Sequence, residues 1–148
     1  MRHSIDLIPR RCIACGACVV ACRDQNDTDH PLRRIEIREE GRGSQARFAY
    51  RSVSCQHCED APCLAACPAD CIARDPSTGF VLLDPGRCIG CGRCAEVCPA
   101  GAPTPDEDGI MHKCDGCVDR VRQGLLPACV KVCPFDALRL TSHPENKG

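Results

Sequence analysis

The residues able to do chemistry in this chain are its cysteines. Cys88, Cys91, Cys94 and Cys98-Pro99 read C-x2-C-x2-C-x3-C-P, a spacing at which thiolates hold [4Fe–4S] cubes. Three thiolates two residues apart wrap one cube, while the fourth sits on a helical turn pointing away and reaches another. Such a motif needs a partner. Cys12, Cys15, Cys18 and Cys22 repeat it at an offset of 76 residues, with Arg11-Cys12-Ile13 matching Arg87-Cys88-Ile89. Two looser versions are Cys55-x2-Cys58-x4-Cys63-x3-Cys67-Pro68 and Cys114-x2-Cys117-x11-Cys129-x3-Cys133-Pro134. Sixteen of the seventeen cysteines thus fall into four groups of four.

The elements that must position these groups are short. His3 to Ile8 partly alternates and ends at Pro9, as an edge strand does. Asp24 to His30 reads as polar loop, and Cys22-Arg23 lacks the proline that forces a turn after a fourth cysteine. Arg33 to Arg38 and Arg47 to Val53 alternate around Glu39-Glu40-Gly41-Arg42-Gly43, which predicts a hairpin. Between Cys67 and Cys88 lie twenty residues: a turn at Asp75 to Gly79, a strand at Phe80 to Leu83, then Asp84-Pro85-Gly86. Ala102 to Asp108 is an acidic, proline-rich connector. Val118 to Arg122 predicts a helical turn stopped by Gly124 and Pro127. Phe135 to Leu140 reads as a closing strand, and Thr141 to Gly148 as a disordered polar tail.

The second and third cysteine groups are joined as the two halves of a bacterial ferredoxin are, so the first and fourth must pair around them. The expected class is α+β: two nested ferredoxin-like units of short strands and helices with little conventional core. Residues 54–103 form the inserted inner unit, and residues 1–53 with 104–148 the outer one. Following the reach of each fourth cysteine, Cys12, Cys15, Cys18 and Cys133 hold one cube, and Cys22, Cys114, Cys117 and Cys129 a second. Cys55, Cys58, Cys63 and Cys98 hold a third; Cys67, Cys88, Cys91 and Cys94 hold the fourth. Iron is bound through these sixteen residues.

Other residues take supporting roles. Cys71, the odd cysteine, is expected to be a small buried hydrophobe and not a ligand. His57 is read as a hydrogen-bonding neighbour of the second group, and His3, His30, His112 and His143 form no pattern. Gly16, Gly90, Gly92 and Gly116 let backbone N–H groups approach sulfur. Ile13, Ala14, Ile89, Val97 and Val132 are expected to shield the cubes.

Composition narrows the alternatives. Three Phe, one Tyr and no Trp are too few for an ordinary aromatic core in 148 residues, whereas seventeen Cys point to a fold stapled by disulfides or metal. Met1 to Arg11 has no apolar leader core, which favours metal in a cytoplasmic chain, exported only if a partner carries it. Zinc ribbons use two separated C-x2-C pairs and do not need a third and fourth cysteine so close. No run approaches a membrane span. There is no nucleotide loop, and no catalytic triad is evident, so no catalytic residue is expected. The formal charge of −1 becomes about −9 once four cubes with their thiolates, about −2 each, are added. Against this stand sixteen Arg, of which Arg11, Arg23, Arg87, Arg93, Arg120 and Arg122 lie near cysteines. They offset cluster charge or form an ordinary solvated surface.

Four segments carry a family likeness: Cys55-Gln56-His57-Cys58-Glu59-Asp60-Ala61-Pro62-Cys63, Arg87-Cys88-Ile89-Gly90-Cys91, Lys113-Cys114-Asp115-Gly116-Cys117, and Leu126-Pro127-Ala128-Cys129-Val130-Lys131-Val132-Cys133-Pro134. The chain resembles, from Cys12 to Leu138, the four-cluster iron–sulfur subunits of the dimethyl sulfoxide reductase type. Relatives of that family serve formate dehydrogenases, hydrogenases, carbon monoxide dehydrogenase and tungsten aldehyde oxidoreductases. The resemblance implies the same nested pairing and four [4Fe–4S] clusters. It also implies a non-catalytic subunit that relays single electrons to or from a molybdopterin, tungstopterin, hydrogenase or CO dehydrogenase type of catalytic partner. A further copy of the chain or another electron-transfer subunit is a second candidate partner; nucleic acid and a direct membrane span are not expected. Many members carry C-terminal extensions, and this chain, ending within ten residues of Leu138, is similar to the compact soluble variety. The rival readings are a free polyferredoxin carrier and a zinc-stabilised interaction module.

Overall fold

The computed structural model describes residues 1–144. Each strand among the described residues finds a single antiparallel partner, in four two-stranded sheets. β1 (Arg2–Leu7) pairs with β8 (Leu138–His143) from Arg2↔His143 to Leu7↔Leu138, joining the two ends of the described chain. β2 (Arg33–Glu40) and β3 (Arg47–Ser54) form the hairpin that the alternation predicted, in register from Arg33↔Ser54 to Glu40↔Arg47. β4 (Ile72–Arg74) pairs with β5 (Val81–Leu83), and β6 (Thr104–Pro105) with β7 (Met111–His112).

Five short helices carry cysteines or flank them: α1 (Ala17–Asn26), α2 (Pro62–Ala66), α3 (Arg93–Glu96), α4 (Val118–Arg122) and α5 (Ala128–Val132). α1 packs on α5, and α2 on α3. No helix among the described residues is long and apolar enough to cross a membrane.

Several boundaries differ from the sequence reading, each for a local reason. α1 runs on through Asp24 to Asn26, because no proline follows Cys22, and ends where Asp27 turns left-handed at φ 46°. The connector after Ala102 contains β6, whose Thr104 hydroxyl meets the His30 ring at 2.6 Å. The closing strand starts at Leu138, since Asp136 at φ 49° breaks the extended run, and takes in Thr141 to His143. Residues 145–148 of the expected tail lie outside the described residues.

Three small cores replace a single large one. The first gathers Ala61, Cys63, Cys71, Ile72, Val81, Cys94 and Met111; the second Ile5, Cys18, Cys129 and Leu138; the third Cys55, Ala102 and Cys114. Cysteine supplies much of each, as the shortage of aromatics requires.

One polar turn ties distant segments together. The buried carboxylate of Asp75 accepts from the Thr78 N–H at 2.9 Å and from the Ser77 and Thr78 hydroxyls at 2.6 and 2.7 Å. It also pairs with Arg122 of α4, 47 residues away. Burial opposes the charge, but these hydrogen bonds outweigh it and hold the Asp75 carboxyl well below the ordinary carboxylate range. Asp75→Asn is expected to lower stability by about 2 kcal/mol at pH 7, read as a lower thermal midpoint of the anaerobically purified protein. An unchanged midpoint would show that the turn does not depend on the carboxylate.

Candidate metal centres

Each cysteine motif begins with the same backbone feature. The residue two places after the first cysteine is left-handed in all four: Ala14 (φ 60°), His57 (φ 48°), Gly90 (φ 70°) and Gly116 (φ 74°). That conformation costs an L side chain about 1 kcal/mol or more. In three of the four it turns the N–H back onto the first cysteine: His57 to Cys55 Sγ at 3.4 Å, Gly90 to Cys88 Sγ at 3.4 Å, and Gly116 to Cys114 Sγ at 3.2 Å. Gly116 has a second reason to lack a side chain, because a Cβ there would stand 2.6 Å from the ring of Phe80. Gly16 and Gly92 act differently, as left-handed caps of α1 and α3.

The fourth cysteines share a second device. Ala102 N–H reaches Cys98 Sγ at 3.4 Å and Ala137 N–H reaches Cys133 Sγ at 3.3 Å, each from four residues on. Burial works against the Cys133 thiolate, but the N–H groups of Phe135, Leu138 and Ala137 hold its pKa below the ordinary thiol value. At Cys22 the helix continues, and the Asn26 side-chain amide, also four residues on, faces Sγ at 3.7 Å instead.

These local turns deliver the cysteines to a few places. Cys12, Cys15, Cys18 and Cys133 line one cavity, beside Ile35 and Leu138. Cys55, Cys58, Cys63 and Cys98 line another, with His57 and Lys113. Cys67, Cys88, Cys91 and Cys94 line a third, together with Cys71 and Met111. Cys22, Cys114, Cys117 and Cys129 act on one another. Burial, with Cys114, Cys129 and Cys117, pushes the Cys22 thiol up to about 12; burial, with Cys114, Asp115 and Cys129, pushes Cys117 up to about 11.

The donor set fits a cationic iron–sulfur core. Crowded buried thiols resist ionisation, as at Cys55, which burial and Cys114 push up to about 11, and a bound cation reverses that resistance. The N–H groups aimed at sulfur supply the hydrogen bonds that cluster thiolates accept. His57 adds a further sign. It is fully buried, its Nδ1 accepts from the Val81 N–H at 3.0 Å, and its ring packs 4.5 Å from Phe80. Burial, reinforced by Lys113, keeps the ring neutral, so the proton is on Nε2. That atom has no hydrogen-bond partner among the described residues, and the residue lines the cavity of Cys55, Cys58, Cys63 and Cys98, where a cluster sulfide would accept. The other histidines group without cysteine: His30 lies 4.9 Å from His112, whose Nε2 is 2.8 Å from Asp106.

Of the side chains expected to shield the cubes, Ile13 and Ala14 line the cavity of the Cys12 set and Ile89 that of the Cys67 set, although Ile13 and Ile89 each keep an exposed face; Val97 and Val132 line none of these three cavities and are exposed. Of the arginines near cysteines, Arg23, Arg87, Arg93 and Arg122 are exposed, in keeping with an ordinary solvated surface, and the buried cations among the described residues are Arg33 and Lys113. Neither was singled out from the sequence, although Lys113 stands directly before Cys114.

The fold and these centres define an iron–sulfur protein of the ferredoxin type. Comparison with known families agrees: a 4Fe-4S dicluster domain matches residues 46–143, and a second description of the same name matches residues 11–71. The chain belongs to the 4Fe-4S dicluster family, with [4Fe–4S] clusters as its cofactor. It is 41% identical to the thiosulfate reductase electron transfer subunit of Salmonella typhi, over 93% of this chain and 74% of that one. It is 42% identical to the B subunit of the anaerobic dimethyl sulfoxide reductase of Escherichia coli K12, over 86% and 67%. It is also 36% identical to the formate dehydrogenase iron-sulfur subunit of Haemophilus influenzae, over 92% of this chain and 50% of the relative.

Cys71 is buried, and its Sγ lies 3.3 Å from that of Cys67. Burial and the Cys67 and Cys88 sulfurs push its thiol up to about 12, which suits an S–H donor beside a ligand. Cys71→Ala is expected to leave iron content at the wild-type level, by metal analysis of anaerobically purified protein. Loss of about four iron per chain would make Cys71 a ligand.

Proposed function

We propose that the chain is the electron-transfer subunit of a molybdenum- or tungsten-type oxidoreductase, holding four [4Fe–4S] cubes in a row. The ligand sets are those of the four quartets above. The observation that carries this reading is the composition of the three cores. One joins Cys18 to Cys129, one Cys55 to Cys114, and one Cys63 to Cys94. Each core therefore spans two quartets, and the three together order them as Cys12, Cys22, Cys55 and Cys67 sets. The β1–β8 pairing and the packing of α1 on α5 support an outer unit of residues 1–53 and 104–148 around an inner unit of residues 54–103.

When bound, a [4Fe–4S] cube takes up and returns one electron without net bond change. The chain's residues hold these groups, bury the two middle positions more deeply and leave the two end positions accessible. Cys15 and Cys91 are the exposed cysteines, one in each end quartet. Around them lie exposed apolar side chains, Ile13 and Phe135 at one end and Ile89 at the other. Apolar surface beside an accessible cluster suits docking of a partner: the catalytic subunit at one end and a donor or acceptor at the other. The relatives named for thiosulfate reductase, dimethyl sulfoxide reductase and formate dehydrogenase favour a molybdopterin- or tungstopterin-type partner over a hydrogenase or CO dehydrogenase. They also favour a subunit over a free carrier. Cysteines that form iron-site quartets and no disulfide among the described residues suit assembly in a reducing compartment, the cytoplasm.

The crossed ligand sets are tested by paired variants followed by electron paramagnetic resonance of the reduced protein. Cys98→Ser and Cys55→Ser are expected to lose the same signal, and Cys67→Ser and Cys88→Ser a different one. Cys98→Ser losing the signal that Cys88→Ser loses would contradict the arrangement. Co-purification of the wild-type chain with a large pterin-containing subunit tests the partner, and recovery of the chain alone under anaerobic conditions would favour the free carrier.

A further inference from the structure

The four quartets differ in their access to water. The first and fourth each contain an exposed cysteine; the second and third contain none, and Cys22, Cys114, Cys129, Cys55 and Cys63 are buried. Adding one electron to a site adds one negative charge, and the surroundings must stabilise that charge. At the ends, water is available to do so. In the middle less of it reaches the sulfurs, where only Cys58, Cys98 and Cys117 are partly exposed.

One buried cation stands at the third quartet, and another where the first and second meet, since Cys18 shares a core with Cys129. Arg33, only 4% exposed at the start of β2, donates to the Ser52 hydroxyl at 2.9 Å, and that oxygen lies 3.3 Å from Cys18 Sγ. Burial opposes its charge, yet Cys129, Cys114, Cys18 and Cys22 outweigh burial and lift its pKa above the ordinary value. Three of those four cysteines belong to the second quartet. Lys113, 7% exposed, donates to the carbonyls of Val81 and Cys114 and to Cys55 Sγ at 3.5 Å. Three acceptors use all three protons of an ammonium group, whereas a neutral amine has two. Lys113 also lines the third quartet's cavity. Neither cation has a carboxylate partner among the described residues, so the sulfur sites are what their charges face.

We propose that Arg33 and Lys113 are built-in counter-charges that replace water at the two middle electron-transfer sites, Arg33 at the Cys22 set and Lys113 at the Cys55 set. They keep the middle reduction potentials within reach of the end ones, so that electrons cross the row. This rests on the four-cube row proposed above. It identifies Arg33 and Lys113 as positioning charges, not as ligands.

The test compares the full chain, purified without oxygen, with Arg33→Gln, Arg33→Lys, Lys113→Gln and Lys113→Arg. Iron and sulfide are counted first, and redox titrations are then followed by electron paramagnetic resonance, with signals assigned by the cysteine variants. Lys113→Gln is expected to shift the reduction equilibrium of the Cys55-set cube at least tenfold toward the oxidised form, about 59 mV for one electron. The Cys67-set cube should not move. Arg33→Gln should do the same at the Cys22 set, and shift the Cys12 set as well through Ser52. The charge-keeping variants should stay near wild type. A neutral variant that loses its middle cube while its charge-keeping counterpart retains it also supports the proposal. Full iron with unmoved middle potentials, an equal shift of all four cubes, or loss of a cube in neutral and charge-keeping variants alike would overturn it. A wild-type chain without four cubes would instead overturn the row on which it rests.

Discussion

Everything in this fold follows from crowding sulfur anions into a small, dry interior. Burial and neighbouring sulfurs push the thiols of Cys22, Cys55 and Cys117 up to about 12, 11 and 11, so the protein alone resists the ionised state that metal binding requires. Iron supplies the missing positive charge, and its binding free energy becomes folding free energy. A chain with three Phe, one Tyr and no Trp has little else to hold it together. Metal and fold are in this sense one interaction.

The backbone is shaped around the same constraint. Left-handed residues recur two places after the first cysteine of every motif, although only Gly90 and Gly116 among them are glycines. Ala14 and His57 accept the strain where the turn is needed. N–H groups then converge on Cys55, Cys88, Cys98, Cys114 and Cys133, and the Asn26 amide serves Cys22 where the helix does not turn. Packing follows the same order, with every core containing cysteines of more than one motif.

Much of this was legible in the sequence. The motif spacing marked the sulfur groups, the alternation around Gly41 marked the β2–β3 hairpin, and Val118 to Arg122 was a helix at the expected bounds. The missing proline after Cys22 announced that the chain would not turn there. What escaped detection depends on three-dimensional neighbours. Arg33 and Lys113 look like ordinary surface cations until β2 and the Val81 strand enclose them. β4 and β6 are too short to leave a periodic signature and exist through their partners. Ile13 and Ile89 read as shields because they are apolar; each lines a cysteine cavity, yet each also keeps an exposed face that the sequence does not reveal.

The central claim is that the sixteen motif cysteines together hold four cubes. Iron and acid-labile sulfide determined on the anaerobically purified chain test it most directly: about sixteen of each per chain is the result expected for four [4Fe–4S] clusters. About four zinc per chain without sulfide, or only about eight iron, would contradict it.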